Sequence, residues 1–466
     1  MRAHRQKRRC ANTQYNAAAC NAPHSLAPIF MAFLLHGSEA SASERRASLA
    51  SANARADHPG ETQAPKGNRP MSHGDRLPND PETRIREATE AATPRLIEIR
   101  RDIHTHPELA FQETRTAGIV AAELTRLGLT PRTGIGRTGV IAEIKGGRPG
   151  PTLAIRADMD ALPIHEETAL PFASEIAGQM HACGHDIHTS TLLGVAAVLK
   201  DLAPQLAGTV RLIFQPAEEV LEGAAAMIAD GAADGIDMAI GFHNHPDMPV
   251  GSFGYVRGAC LAASDRFDLI IQGKSGHAAH PYAAIDPIVA AAAFVQEAQT
   301  VVSREIKPLH PAVVTIGQFV GGTTYNIIPE RVHLKGTVRT LHHESRDIAE
   351  AALRRLAQGI GISMRVKTEM NYVRKVPPLV NDDRVLDPVI AAVRRQMGDV
   401  ISEGEASMGA EDFAEFAAVA PSFQLRIGSG QPGRDDRLHN AFYQPDERSI
   451  GLGVQALSRA ALDLLA

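Results

Sequence analysis

Met180-His181-Ala182-Cys183-Gly184-His185-Asp186-Ile187-His188 puts one thiol, three imidazoles and one carboxylate into nine residues. Cys183 and His185 are one residue apart, so in an extended segment their side chains point the same way. Such a pair suits a borderline-soft cation such as Zn²⁺. The apolar run Leu192–Leu199 that follows reads as a buried helix. The motif then sits at a loop-to-helix junction, where side chains can converge on a cleft. Taken alone, Cys-x-His is more often a core histidine beside a buried free cysteine, so the flanking chain has to decide.

Outward from this motif, strands and helices alternate. Thr83 to Leu109 and Glu113 to Leu127 have a helical spacing of apolar residues. Val140–Ile144, Thr152–Ile155, Val210–Phe214 and Met238–Phe242 read as short strands, with a helix over Ala224–Asp230. This alternation argues for an α/β sheet. Asp158 and Asp160, Glu218 and Glu219, and His243 all fall just past the predicted C-terminal strand ends. Open α/β sheets bind ligands at that edge. With Cys183 and His185, these groups are expected to meet at one rim. Each alone has a bland explanation, since a Glu-Glu pair is usually a solvated face and a histidine after a strand a loop residue.

From about Ala262 to Arg374 the pattern changes. Strands are expected at Phe267–Ile271, Ala312–Gln318 and Val332–Thr340, with helices at Pro287–Val302 and Ile348–Ile360. Two helices with about four strands form an α+β sandwich inserted into the first domain. The expected division is 1–80 as an extension, 81–261 and 375–466 as the two parts of an α/β domain with a mixed sheet, and 262–374 as the inserted domain. Gly428–Gly433 is Gly-rich but precedes no phosphate-type helix, so no nucleotide site is read there.

The chain has 466 residues, 44% of them apolar, so a large core can be buried. Aromatics make up 4% and Trp is absent, which argues against stacked-ring platforms for sugars or single-stranded nucleic acid. A formal charge of −5 gives no sign of a polyanion partner. The four cysteines, Cys10, Cys20, Cys183 and Cys260, form no CxxC pair and no disulfide framework. Residues 1 to about 80 lack periodicity. Their apolar patch Leu26–Leu35 follows a basic region and loosely resembles a signal peptide, but it is short and broken by Pro28. A disordered extension, or a true start at Met71, is the favoured reading. The expected location is the cytoplasm, or outside the cell if that segment acts as a signal, with no membrane partner.

The chain resembles the M20 family of metallopeptidases and amidohydrolases, in particular the subgroup of hippurate and indole-acetyl-amino acid hydrolases. The motifs that carry this are His104-x-x-Pro107-Glu108-Leu109, Arg156–Pro163, Met180–His188, Phe214–Glu219, Gly241–Pro246, Ser275–Pro281, Asn326–Pro329, Met408–Phe413 and Leu438–Phe442. The likeness runs from about residue 83 to the end.

The resemblance implies two divalent ions bridged by Cys183, with His185, Glu219, His243 and His439 completing the ligands. This donor set admits Zn²⁺, Mn²⁺, Co²⁺ or Ni²⁺, softness favouring zinc. Asp160 is expected to orient a ligand, with Asp158 a weaker candidate. Glu218 is left to take a proton from water and hand it to the leaving amine. Spacing alone does not choose between Glu218 and Glu219; the resemblance does. A catalytic-cysteine hydrolase would leave Glu218, Glu219, His243 and His439 without roles. The inserted domain corresponds to the family's satellite domain, which carries a homodimer contact. Within it, His277 is implied to stabilise the oxyanion, and Asn326 and Arg339 to bind the substrate α-carboxylate. The implied reaction is hydrolysis of N-acyl-amino acids, small molecules rather than nucleic acid. An N-acetyl-diaminopimelate-type deacetylase, a dipeptidase or carboxypeptidase, or a non-catalytic binding protein on the same fold are the alternatives. Arg426 departs from the pattern, where a small or apolar residue is expected.

Overall fold

The computed structural model describes residues 80–435 and 437–466. The expectations for the N-terminal extension, Cys10 and Cys20 lie outside them. Asp80 caps the first helix, α1 (Pro81–Thr105), by accepting from Thr83 N, and Pro81 supplies a preset first turn. It ends at Thr105, with His106 as its C-cap before Pro107, and so stops short of the expected Leu109. After α2 (Thr114–Arg126) come β1 (Arg132–Ile135), β2 (Gly139–Lys145) and β3 (Arg148–Asp158). Next are α3 (His185–Leu202), β4 (Ala207–Gln215), α4 (Gly223–Ala229), β5 (Met238–Pro249) and β6 (Phe253–Tyr255).

The chain continues through β7 (Gly258–Leu261), β8 (Ala263–Gln272), β9 (Gly276–His277) and α5 (Pro287–Thr300). It then forms β10 (Ala312–Gly321), β11 (Ile327–Ile328), β12 (Arg331–Thr340), α6 (His343–Met364) and β13 (Lys367–Val376). The last part holds β14 (Leu379–Asn381), α7 (Asp383–Met397), β15 (Ile401–Glu403), α8 (Ala414–Ala417), β16 (Ser422–Gly430) and α9 (Arg448–Leu464).

Eight strands make a mixed sheet in the order β1-β2-β4-β3-β5-β16-β6-β15. Its centre, β4-β3-β5-β16, is parallel throughout. Four strands make a second, antiparallel sheet, β10-β12-β8-β13. Each sheet has its own apolar core. Val195, Leu199 and Leu457, from α3 and α9, belong to the first with Ile155, Leu212 and Phe423. Phe267, Leu334, Phe294 and Leu353 belong to the second, which α5 and α6 cover. The fold is thus α/β with a mixed sheet, as expected.

Two local readings are corrected. β5 runs on to Pro249, so His243 lies inside a strand and not beyond its end. Cys183 and His185 are not side by side on an extended segment. Gly184 between them is left-handed, at φ 85°, and His185 opens α3.

Candidate metal centre

The parallel order of β3, β4, β5 and β16 brings their C-terminal ends to one edge of the sheet, where ligands of open α/β sheets collect. Asp158 ends β3 and Glu218 and Glu219 follow β4. Cys183 precedes α3, and His439 arrives from the loop after β16, its N–H donating to the Ala182 carbonyl at 2.8 Å. Only glycine fits at 184. A Cβ there would lie 2.4 Å from Asn244 Nδ2 and 2.6 Å from the Tyr443 hydroxyl, on a backbone that L side chains rarely adopt.

Sulfur, nitrogen and oxygen donors then converge. Cys183 Sγ lies 3.5 Å from His243 Nε2. Glu219 Oε1 lies 3.9 Å from His185 Nε2 and 3.4 Å from His439 Nε2. Two triples each gather donor atoms within 4.8 Å, Cys183-His185-His243 and Cys183-Glu219-His439, and they share the thiol.

The imidazoles are oriented by their far nitrogens. His243 Nδ1 donates to the Asn244 carbonyl at 2.7 Å, which leaves the Nε2 lone pair facing Cys183. His185 Nδ1 faces Asp160 Oδ1 at 3.3 Å. Asp160 also accepts from the backbone N–H of Glu218 and of Glu219, each at 3.1 Å, and so ties the two carboxylates to the histidine. His185 Nε2 and Glu219 Oε1 are buried and have no hydrogen-bond partner. Buried polar atoms are rarely left so. These orphaned donors, with a thiol and two further imidazoles, fit divalent cations.

Charge points the same way. Burial opposes a proton on His185, yet the Asp158 carboxylate and Cys183 lift its proton affinity well above the imidazole range. A cluster this rich in anionic groups draws positive charge, and a metal ion is another way to supply it. Burial pushes the Cys183 thiol up, Glu219 adding to the effect. Burial would raise Glu219 too, but the neighbouring His439 and His185 hold it below its usual value. Glu218 differs from its neighbour. Burial, and then the charges of Glu411 and Asp412, keep its carboxyl well above the usual range.

A buried network lies beneath this rim, in which Arg156, His188, Asn244, Glu411 and Asp412 were not candidates from the sequence and Asp158 was a weak one. Arg156 NH groups donate to Asp158 at 2.6 Å and Asp412 at 2.8 Å, and its guanidinium lies 2.9 Å from Glu411. Burial and the Glu411 charge push the Asp412 carboxyl up to about 8 against the pull of Arg156. His188 faces Asp158 at 2.6 Å and accepts the Asn244 N–H at 2.9 Å, while Asn244 Nδ2 donates to the Cys183 carbonyl at 2.8 Å. All of these lie in the motifs quoted above. For Arg156, Asp158 and Asn244 the signal was a charge or amide group on an otherwise apolar strand.

His277, Asn326 and Arg339 do not line the cavity that the cluster opens into. His277 is exposed on β9, and Asn326 is exposed just before β11, its carbonyl accepting from Ala278 N at 3.1 Å. Arg339 is half-buried on β12, between Ser264 and Val313 on the flanking strands. That cavity, of about 730 Å³, is the one that Cys183, Glu218, Glu219, His243 and His439 line.

The family model for "Peptidase family M20/M25/M40" matches residues 154–463. The chain belongs to the M20/M25/M40 peptidase family. It is a metal-dependent amidohydrolase of that family. It is 41% identical to an N-acetylcysteine deacetylase of Bacillus subtilis (strain 168) over 382 residues, 81% of this chain and 99% of that one. It is 38% identical to thermostable carboxypeptidase 1 of Saccharolobus solfataricus over 367 residues, 78% of this chain and 93% of the relative. A crystal structure of a dinuclear metal-binding M20 peptidase from Bacillus subtilis superposes with a TM-score of 0.73 at 38% identity, covering 81% of this chain and 99% of that one. Among the described residues, no helix is long and apolar enough to cross a membrane.

Proposed function

We propose that this M20 protein hydrolyses the amide bond of N-acyl-amino acids, using two divalent ions held at the rim. The observation that carries this reading is the pair of donor triples sharing Cys183. Cys183 would bridge the ions, with His185 and His243 completing one site and Glu219 and His439 the other. Zinc, manganese, cobalt and nickel all suit this donor set. When bound, the ions acidify water and polarise the amide carbonyl.

The chain's own groups do the rest. Glu218 lies beside the cluster with a raised proton affinity, which suits a group that takes a proton from water and returns it to the leaving nitrogen. Asp160 holds His185 and the Glu218-Glu219 backbone in place. Asn326 and Arg339 bind the α-carboxylate, and His277 donates to the oxyanion. Because these three stand outside the cavity, a homodimer in which the partner supplies at least His277 fits the arrangement. A cytoplasmic location fits an unpaired ligand cysteine, which a reducing compartment preserves.

Benzoyl and indole-acetyl groups are candidate acyl halves. The deacetylase and carboxypeptidase among the relatives favour small acyl groups or peptides as a second reading. Hippurate, an indole-acetyl-amino acid, N-acetylcysteine and a dipeptide, each assayed with Mn²⁺, Zn²⁺, Co²⁺ and Ni²⁺, test the proposal. Metal-dependent release of an amino acid from one or more of the N-acyl compounds is expected. Cleavage of the dipeptide alone, or an unchanged rate after chelation, would overturn it.

A further inference from the structure

The cavity holds a charged side chain that the proposed chemistry does not use. Along β16, Leu425 and Ile427 pack into the main core, while Gln424 and Arg426 line the cavity on the opposite face. Strand register sets Arg426 beside His243 of β5 and Gly254 of β6. Two glycines make room for it. A Cβ at Gly404 would lie 3.0 Å from Arg426 Nη1, and one at Gly254 would lie 3.4 Å from the Arg426 Cβ. Neither glycine has a positive φ, so the space and not the backbone is what their missing side chains provide.

Arg426 is half-buried, and it makes no hydrogen bond or ion pair with any described residue. Its charge is nevertheless felt nearby. It opposes the burial that pushes the Cys260 thiol up to about 12, and it adds to the His245 hydrogen bond that lowers Asp247. Of the lining carboxylates, Glu405 is exposed and makes no ion pair with Arg426, and two others are engaged elsewhere. Glu411 lies 2.9 Å from Arg156 and accepts from Gln424 at 3.0 Å, and Asp247 lies 3.3 Å from His245. A partly desolvated guanidinium with no direct ion pair is costly, and its planar fork of donors matches a carboxylate.

The next step rests on the amide-hydrolysis reading above. There the α-carboxylate goes to Asn326 and Arg339, outside this cavity, which leaves the cavity for the acyl half. We propose that Arg426 is a specificity-determining residue that binds a carboxylate at the far end of the acyl chain, so that the substrates are N-acyl-amino acids with a dicarboxylic acyl group of succinyl or glutaryl size. A cavity of about 730 Å³ holds such a chain with room for water. Within the proposed class, dicarboxylic acyl groups are therefore favoured over benzoyl or indole-acetyl ones.

The test compares metal-loaded wild type with Arg426→Met and Arg426→Lys on the N-succinyl and N-butyryl derivatives of one amino acid. Wild type is expected to favour the succinyl compound in kcat/KM. Arg426→Met is expected to lower the succinyl-to-butyryl ratio by about tenfold to a hundredfold, the scale of a hydrogen bond to a charged group, mainly through KM. Arg426→Lys should retain part of it. An unchanged ratio overturns the proposal. An equal loss on both substrates does so too, because Arg426 would then read the α-carboxylate that they share.

Should neither compound be cleaved, the amide-hydrolysis reading fails, and binding still decides the role of Arg426. Calorimetry of glutarate and butyrate against the same metal-loaded proteins should show tighter glutarate binding in wild type, lost in Arg426→Met. Equal affinities would overturn it, with circular dichroism confirming that the variant is folded.

Discussion

The rim of the mixed sheet and the β9–β11 edge of the inserted region differ in how far a single chain completes them. At the rim, Cys183, His185 and Glu218 are buried, their backbones are fixed by strand ends and a helix start, and Asp160 ties His185 to Glu218. At the other edge, His277 and Asn326 are exposed and meet nothing of the cluster. Buried polar groups have to be placed by the surrounding fold, because an unpaired one costs about 1–3 kcal/mol. Exposed ones need no partner within the chain, and so are free to serve another. The difference separates donors that one chain brings together from groups that it leaves outside their cavity.

The largest expected effect tests the rim. Glu218→Gln keeps the shape and removes the proton acceptor, so turnover should fall by about 10²–10⁴-fold with metal content and substrate affinity little changed. Turnover near wild type, with metal content verified, would remove Glu218 from the role and weaken the contrast between the two regions.

A smaller effect tests the other edge. His277→Ala should lose about 10²–10³-fold, the scale of one oxyanion donor. If His277 acts across a dimer, a heterodimer of Glu218→Ala and His277→Ala chains has one site with both groups and one with neither. Purified through two different tags, it should be far more active than either parent. A heterodimer no better than its parents would place His277 in its own chain's site, or in none.

Much of this arrangement was legible in the sequence, and the failures have physical causes. Strands β3 and β4 stood out because Leu153, Ile155, Val210 and Leu212 are apolar, fully buried and bounded by polar turns. The convergence of Asp160, Cys183, Glu218 and Glu219 followed from the α/β alternation alone. β16 was missed although it is central, because Gln424, Arg426 and three small or polar residues at its end face a cavity and neighbouring strands instead of a core. The end of β5 was placed at Phe242 because the polar run His243-Asn244-His245 leads into Pro246. In the fold, His188 and Ser429 satisfy that asparagine and keep the strand going. The left-handed Gly184 was hidden for another reason. What demands it is the close approach of Asn244 and Tyr443, contacts 60 or more residues away in sequence.

The central claim is that the rim is a two-ion centre bridged by Cys183. Equilibrium dialysis of Mn²⁺ against wild type and Cys183→Ala tests it most directly, with no appeal to activity. The account predicts two ions per wild-type chain, and one weakly held ion or none in the variant, because both donor triples lose their shared member. Two ions bound by Cys183→Ala with wild-type affinity, or none bound by the folded wild type, would contradict it.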